Sequence, residues 1–221
     1  MKSIKYIALL GVLIIGANGI YKKSNGFDMT QSSLTLNKDS IDQAKEKKEV
    51  LAAYNNKSRN LDESNLAVGK PYKIYYVLSG YEDVFEKSGS FKSVINEDYE
   101  WEAPLYDYSN NIVNTSIVWN DGVKWSVGKT GLDIPTDLVK FNSNDDEILS
   151  FLSKNGINNP KEIKRLKLAS EHMDALFIVD EEDKEYLVPM AFENISNLLG
   201  IENLKLYDAK ELILKIKEAR S

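Results

Sequence analysis

The sequence predicts an α+β fold: antiparallel sheet built from hairpins and a meander, helices packed on one face, and an N-terminal membrane-targeting helix ahead of it. Three observations predict this. Two strand pairs flank turn signals, one at Asn120-Asp121-Gly122 and one at Asp180-Glu181-Glu182-Asp183. Amphipathic segments of helical period follow the strands without the regular strand–helix alternation of a parallel sheet. The chain also opens with lysines followed by an apolar run.

The N-terminal signal comes first. Lys2 and Lys5 precede Ile7-Ala8-Leu9-Leu10-Gly11-Val12-Leu13-Ile14-Ile15, the basic-then-apolar order of an export signal. The uncharged stretch from Tyr6 to Tyr21 has 16 residues, short of the roughly 20 that a full span needs. Ala17-Asn18-Gly19 offers small residues to a signal peptidase, so residues 1–21 read as either a cleaved signal peptide or a signal-anchor in or through the membrane. Residues 22–60 carry 8 basic and 5 acidic side chains and few large apolar ones, which suits a polar stalk or linker. Within it, Ser40-Ile41-Asp42-Gln43 resembles a capping box opening an exposed helix to Tyr54. Residues 61–221 hold 18 basic and 29 acidic side chains and form the acidic globular domain.

Strands lead that domain. Tyr72 to Ser79 is β-branched and aromatic, with Tyr72, Ile74, Tyr76 and Leu78 on one face. Tyr99, Trp101, Ala103 and Leu105 alternate with Glu100 and Glu102 in a second strand. Ile112 to Trp119 and Val123 to Gly128 form the first hairpin, joined to the preceding strand through Ser109-Asn110-Asn111. Asn144 to Lys154 is a helix with Ile148, Leu149, Phe151 and Leu152 on its apolar side, and Gly156 is placed to end it in the left-handed conformation. Leu166 and Leu168 alternate as a strand after a brief turn at Asn159-Pro160. Ala175 to Val179 and Glu185 to Pro189 make the second hairpin. Phe192, Ile195, Leu198 and Leu199 make a short helix closed by Gly200. Asp208 caps a terminal helix that buries Leu212, Ile213 and Ile216. Segments 117–140 and 177–199 share a hairpin–loop–helix outline that suggests a duplication.

Composition narrows the chemistry. With no Cys, disulfides, thiolate metal sites and a Cys nucleophile are excluded, and one His excludes a two-His metal site. A net charge of −6 argues against nucleic acid as a partner. Gly128-Lys129-Thr130 resembles the end of a phosphate-binding loop, but the preceding glycine is Gly122 and the residues between read as a strand. His172 reads as an exposed residue in a polar turn. Asp145-Asp146-Glu147 and Asp180-Glu181-Glu182-Asp183 lack the spaced ligands and glycine of a calcium loop, so no metal and no cofactor are expected.

Glu100, Glu102, Tyr106 and Tyr108 share one strand face, and an acidic, aromatic face suits a sugar or a cationic peptide. These four are the expected ligand- or partner-binding residues. The expected partner is a basic protein or peptide, or a cell-surface glycan, because net negative charge speeds encounters with cations. The stretch from Val68-Gly69-Lys70-Pro71-Tyr72 through Pro104-Leu105-Tyr106 to Trp125-Ser126-Val127-Gly128 resembles uncharacterised exported proteins of Gram-positive bacteria. It is also similar to cystatin-like and PepSY-like modules. That resemblance implies a helix on an antiparallel sheet and a role in binding or inhibiting. With 25 Lys against 3 Arg and 20 Asn, the composition fits such a source. The expectation is a non-enzymatic extracytoplasmic binding module, secreted or held at the cell membrane. The alternative is a cell-wall-directed hydrolase working through carboxylates.

Overall fold

A computed structural model describes residues 67–106, 111–120 and 125–220, without the side chains of 67–68, 118–120 and 125–130. The expected targeting segment (1–21), the stalk (22–60) with its helix, Tyr108 and the Asp121-Gly122 turn lie outside the described residues. Among the described residues, no helix is long and apolar enough to cross a membrane.

The chain begins with the two-residue strand β1 (Ala67–Val68) and β2 (Tyr72–Val77), then α1 (Tyr81–Ser88) and a 3-10 turn at Phe91–Val94. A meander follows: β3 (Ile95–Tyr106), β4 (Ile112–Asn120) and β5 (Trp125–Gly131). Helices α2 (Thr136–Asn142) and α3 (Asp145–Lys154) lead to β6 (Glu162–Leu168), a 3-10 turn at Ala169–Glu171, β7 (Met173–Val179) and β8 (Glu185–Ala191). Helix α4 (Glu193–Leu199), the short β9 (Tyr207–Asp208) and α5 (Ala209–Arg220) complete it.

The α+β class stands, but two parts of the expectation are corrected. The strands form one nine-stranded sheet in the order β5-β4-β3-β2-β6-β7-β8-β9, with β1 beside β3. Every other pairing is antiparallel, but β2 and β6 at its centre run parallel, Tyr75 opposite Leu166 and Tyr76 opposite Lys167. A parallel pair requires a long crossover, and here the meander and three helices supply it, so no local turn signal could announce it. Helices also cover both faces rather than one. Tyr81, Phe85 and Phe91 pack with Leu199, Leu212, Ile213 and Ile216 over Tyr75, Leu166, Ala175, Phe177 and Leu187. On the other face Leu138, Val139, Phe141, Ile148 and Leu152 cover Ile163, Leu176, Ile178, Val188 and Met190. This double cover explains why β7 is buried along its whole length.

Local signals did set the helix ends. Asn144 accepts from the Asp146 and Glu147 amides, and Asp208 from those of Lys210 and Glu211. Gly156 and Gly200 adopt φ of 85° and 62°. The apolar side of α3 is narrower than expected, since Ile148 and Leu152 are buried whereas Leu149 is exposed.

The outer edge of β8 is closed piecemeal. β9 pairs only with Tyr186 and Leu187. Beyond it, the Leu204 amide donates to the Pro189 carbonyl, while the Asn203 side chain both accepts from the Ala191 amide and donates to its carbonyl.

Gly69, between β1 and β2, packs its backbone closely against β3. Its amide donates to the Pro104 carbonyl at 2.8 Å, and a Cβ there would sit 2.5 Å from the Tyr106 ring and 2.8 Å from Pro104 Cγ. Gly69→Ala is therefore expected to cost about 1–3 kcal/mol of stability through overpacking. An unchanged urea midpoint would show that the Tyr106 ring moves aside freely.

Candidate functional site

Strand β6 reads Glu-Ile-Lys-Arg-Leu-Lys-Leu, a pattern that suits a strand with one wet face. Both faces are instead buried, so its three cations must be paired inside the protein. Lys164 lies within 3.0 Å of Glu162 and of Glu97 from β3. Arg165 donates through Nε to the Asn142 carbonyl and through Nη2 to Asp145, with its guanidinium over the Tyr72 ring. Lys167 gathers three carboxylates: Asp174 at 3.2 Å, Asp133 at 3.2 Å and Glu102 at 3.3 Å.

Each partner of Lys167 is positioned by a different element. Asp174 is its direct cross-strand neighbour on β7. Glu102 reaches across from β3, where it sits opposite Tyr72 and accepts from that hydroxyl at 2.8 Å, with Thr115 Oγ1 at 3.0 Å. Asp133 comes from the connection between β5 and α2. On the parallel side, Tyr76 stands opposite Lys167 and donates its hydroxyl to Glu100.

A cavity of about 300 Å³ opens onto this cluster. Lys167, Asp174, Asp133 and Tyr76 supply its polar wall, Leu168, Ala169 and Met173 its apolar wall, and His172 its rim. His172 is exposed and holds a left-handed φ of 53° as it ends the 3-10 turn. Two other cavities, of about 370 and 390 Å³, lie at the Asn155–Asn159 loop and beside Ser90 and Asp208, and no buried charge lines either.

No family model, curated protein or solved structure matches this chain. The chemistry of the site therefore rests on its own geometry.

Three carboxyl groups share one ammonium, and two of them, Glu102 and Asp174, are shut off from water. Burial pushes the Asp174 carboxyl up to about 7, with Glu102 and Asp133 adding to the rise and Lys167 opposing it. Burial opposes the charge on Lys167, but Asp174, Glu102 and Asp133 together hold its ammonium firmly protonated. A lysine so held is a poor nucleophile. Desolvation, and then the Glu100 carboxylate, raise the Tyr76 phenol. Among the described residues no group of three His, Cys, Asp or Glu is arranged for a metal; Lys167 occupies the point where these carboxylates converge.

The four residues singled out by sequence have separate fates. Glu102 is only 3% exposed, so it belongs to the ion cluster and not to an exposed strand face. Glu100 is half-buried and held by Tyr76. Tyr106 is half-buried and packs against the core beneath α2 and α3. Tyr108 lies outside the described residues. Sequence reasoning missed Lys167, Asp174, Asp133 and Tyr76. One signal was available: Asp174 is the lone charge in Met-Asp-Ala-Leu-Phe-Ile-Val, and a buried strand keeps an acid only when it is paired.

Two variants test the cluster. Lys167→Met strands three carboxylates and should cost about 3–5 kcal/mol; near-wild-type stability would mean the carboxylates reach water. For Asp174, an unfolded aspartate ionises near pH 4, whereas the folded carboxyl holds its proton to about 7. The folded chain thus binds an extra proton between these values, and the Asp174 contribution to stability falls as pH rises through that window, by up to about 1.4 kcal/mol per unit. Asp174→Asn removes this dependence. The stability difference, wild type minus variant, should decline from about pH 4 to 7 and level off above; parallel denaturation profiles would contradict the assignment.

Proposed function

We propose that this protein is an extracytoplasmic, non-catalytic binding module, secreted or tethered at the cell membrane, that captures a basic protein or peptide. The observation that carries the reading is the cavity at Lys167. Its ammonium is flanked by the carboxyl groups of Asp133, Asp174 and, behind them, Glu102, so acidic groups outnumber the one cation there and little donor capacity is left for a visitor. Asp133 is 30% exposed on its side chain and brings an acidic group to the mouth. The domain around it, with 29 acidic against 18 basic side chains over residues 61–221, steers cations toward the mouth over longer range. The basic-then-apolar N-terminus supports the location.

The carboxylate-hydrolase alternative has less support. It needs two carboxyl groups facing each other across room for a sugar ring, whereas Glu102 and Asp174 are buried and close on the same ammonium.

Fluorescence anisotropy with a labelled tetralysine peptide tests the binding reading on the full-length chain. Binding is expected at low salt and should weaken steeply as salt is raised. Asp133→Asn should weaken it roughly 5-fold, while Glu181→Gln at the exposed β7–β8 turn should leave it unchanged. Binding indifferent to salt and to Asp133→Asn would remove this cavity from consideration.

A further inference from the structure

We propose that residues 41–54 dock as a helix on one face of the β3–β4 meander, over Ala103, Leu105 and Ser116, in place of standing free of the domain. The inference is independent of the binding reading above.

One side of the meander is buried without a described layer over it. Registered pairs in a sheet share a face: Tyr75 stands opposite Tyr99, Lys73 opposite Trp101, and Ala103 opposite Ser116. Side chains alternate along a strand, so Tyr99, Trp101, Ala103, Leu105 and Ser116 share the side on which Tyr75 joins the core beneath α1 and α5. Ala103 and Leu105 are 0% exposed and Ser116 is 1% exposed. A sheet face reaches such values under a packed second layer. Helices α1, α4 and α5 form that layer over β2, β6, β7 and β8, and neither Ala103 nor Leu105 belongs to the core they build. The core beneath α2 and α3 holds neither of them.

The chain ahead of Ala67 is placed to supply the cover. Residues 107–111 and 121–124 connect at opposite ends of β4, whereas Ser116 is its midpoint. The stretch before β1 enters along this edge, since Ala67 pairs with Tyr106 and Val68 with Leu105. Within that stretch, helical period puts Ile41, Ala44, Leu51 and Tyr54 on one side and Asp42, Glu46 and Glu49 on the other. A helix of these 14 residues would be about 21 Å long, matching the run of β3 from Tyr99 to Leu105, about 20 Å. Residues 55–66 can span up to about 40 Å, ample for the return to β1. Charge agrees with the orientation. Lys47 and Lys48 flank the apolar side, nearest a domain with 29 acidic against 18 basic side chains, while the three acids point away from it. In a chain held by its N-terminal apolar run, the docked segment leaves residues 22–39 as the tether.

The test uses the full-length chain, which has no Cys. Ser116→Cys installs a single thiol under the proposed cover, and the Ser116 hydroxyl gives up no hydrogen bond in the exchange. This thiol should react with an aromatic disulfide reagent about 100-fold more slowly in the folded protein than in urea. Adding Leu51→Asp and Tyr54→Asp should raise the folded rate about 10-fold or more, because a closed cover would bury two unpaired carboxylates. Ala53→Asp, on the opposite side of the helix, should leave the rate unchanged. A methyl label on Met190, in the core beneath α2 and α3, reports that the domain stays folded in each variant. Should the double variant lose the Met190 signal, Leu51→Ala with a smaller rise in the same rate carries the comparison. A folded thiol that reacts as fast as the unfolded one means the face is open and overturns the proposal. Protection that survives the Leu51 and Tyr54 changes, or that Ala53→Asp abolishes equally, overturns the assignment to this segment and this side of it.

Discussion

The burial of three cations in one central strand, β6, constrains how the two halves of this fold meet. β6 joins the β1–β5 meander to the β6–β9 half through a parallel seam of only two registered pairs. Its Lys164 and Lys167 both pair with acids on β3, a strand with which β6 shares no ladder. Buried ion pairs add little net stability, because desolvation offsets the Coulomb attraction. They are, however, intolerant of misplacement. A slip of one residue along the seam would turn Lys167 to the opposite face of the sheet, among Phe91, Phe177 and Leu187, and leave Glu102 and Asp174 unpaired. The charges thus penalise other registers of a short ladder, and one of them, Lys167, lines the cavity.

How much of this was legible depended on distance along the chain. The β7–β8 hairpin, the Asn144 and Asp208 caps and the glycines ending α3 and α4 were readable, because each rests on residues within a turn of one another. The β2–β6 pairing was not: its partners lie on either side of three helices and three strands. The helical layer on the second face was missed for the same reason. Lys164, Arg165 and Lys167 look like the wet side of a half-exposed strand until tertiary structure places Glu97, Asp145 and Glu102 beside them. Glu102 was found by alternation on β3 and then misplaced, because alternation gives the face of a strand but does not tell whether that face meets water. Asp174 carried its own signal, a single acid in an apolar run.

The rim of the cavity is tied to the far end of the chain. Arg220, near the end of α5, pairs with Glu171 and with Glu82 on α1. Glu171 is fully buried at its side chain and immediately precedes His172. Lys217 adds an ion pair to Glu86, one turn along α1. The 3-10 turn that frames the mouth is therefore anchored from behind by two helices on the opposite face of the sheet. A cavity built from strand side chains and a clamped turn carries little ordering cost for any group that enters it.

The sealed edge of β8 bears on how copies of this protein meet. A sheet edge with free amides and carbonyls invites another chain to add a strand. Past β9, Pro189 has no amide to offer and its carbonyl is taken by Leu204, while the Asn203 carboxamide occupies both backbone groups of Ala191. One side-chain amide here stands in for a strand that is not there. Crowded copies consequently find a poor template for strand addition along this stretch of β8, where one asparagine and one proline do the work of a neighbouring strand.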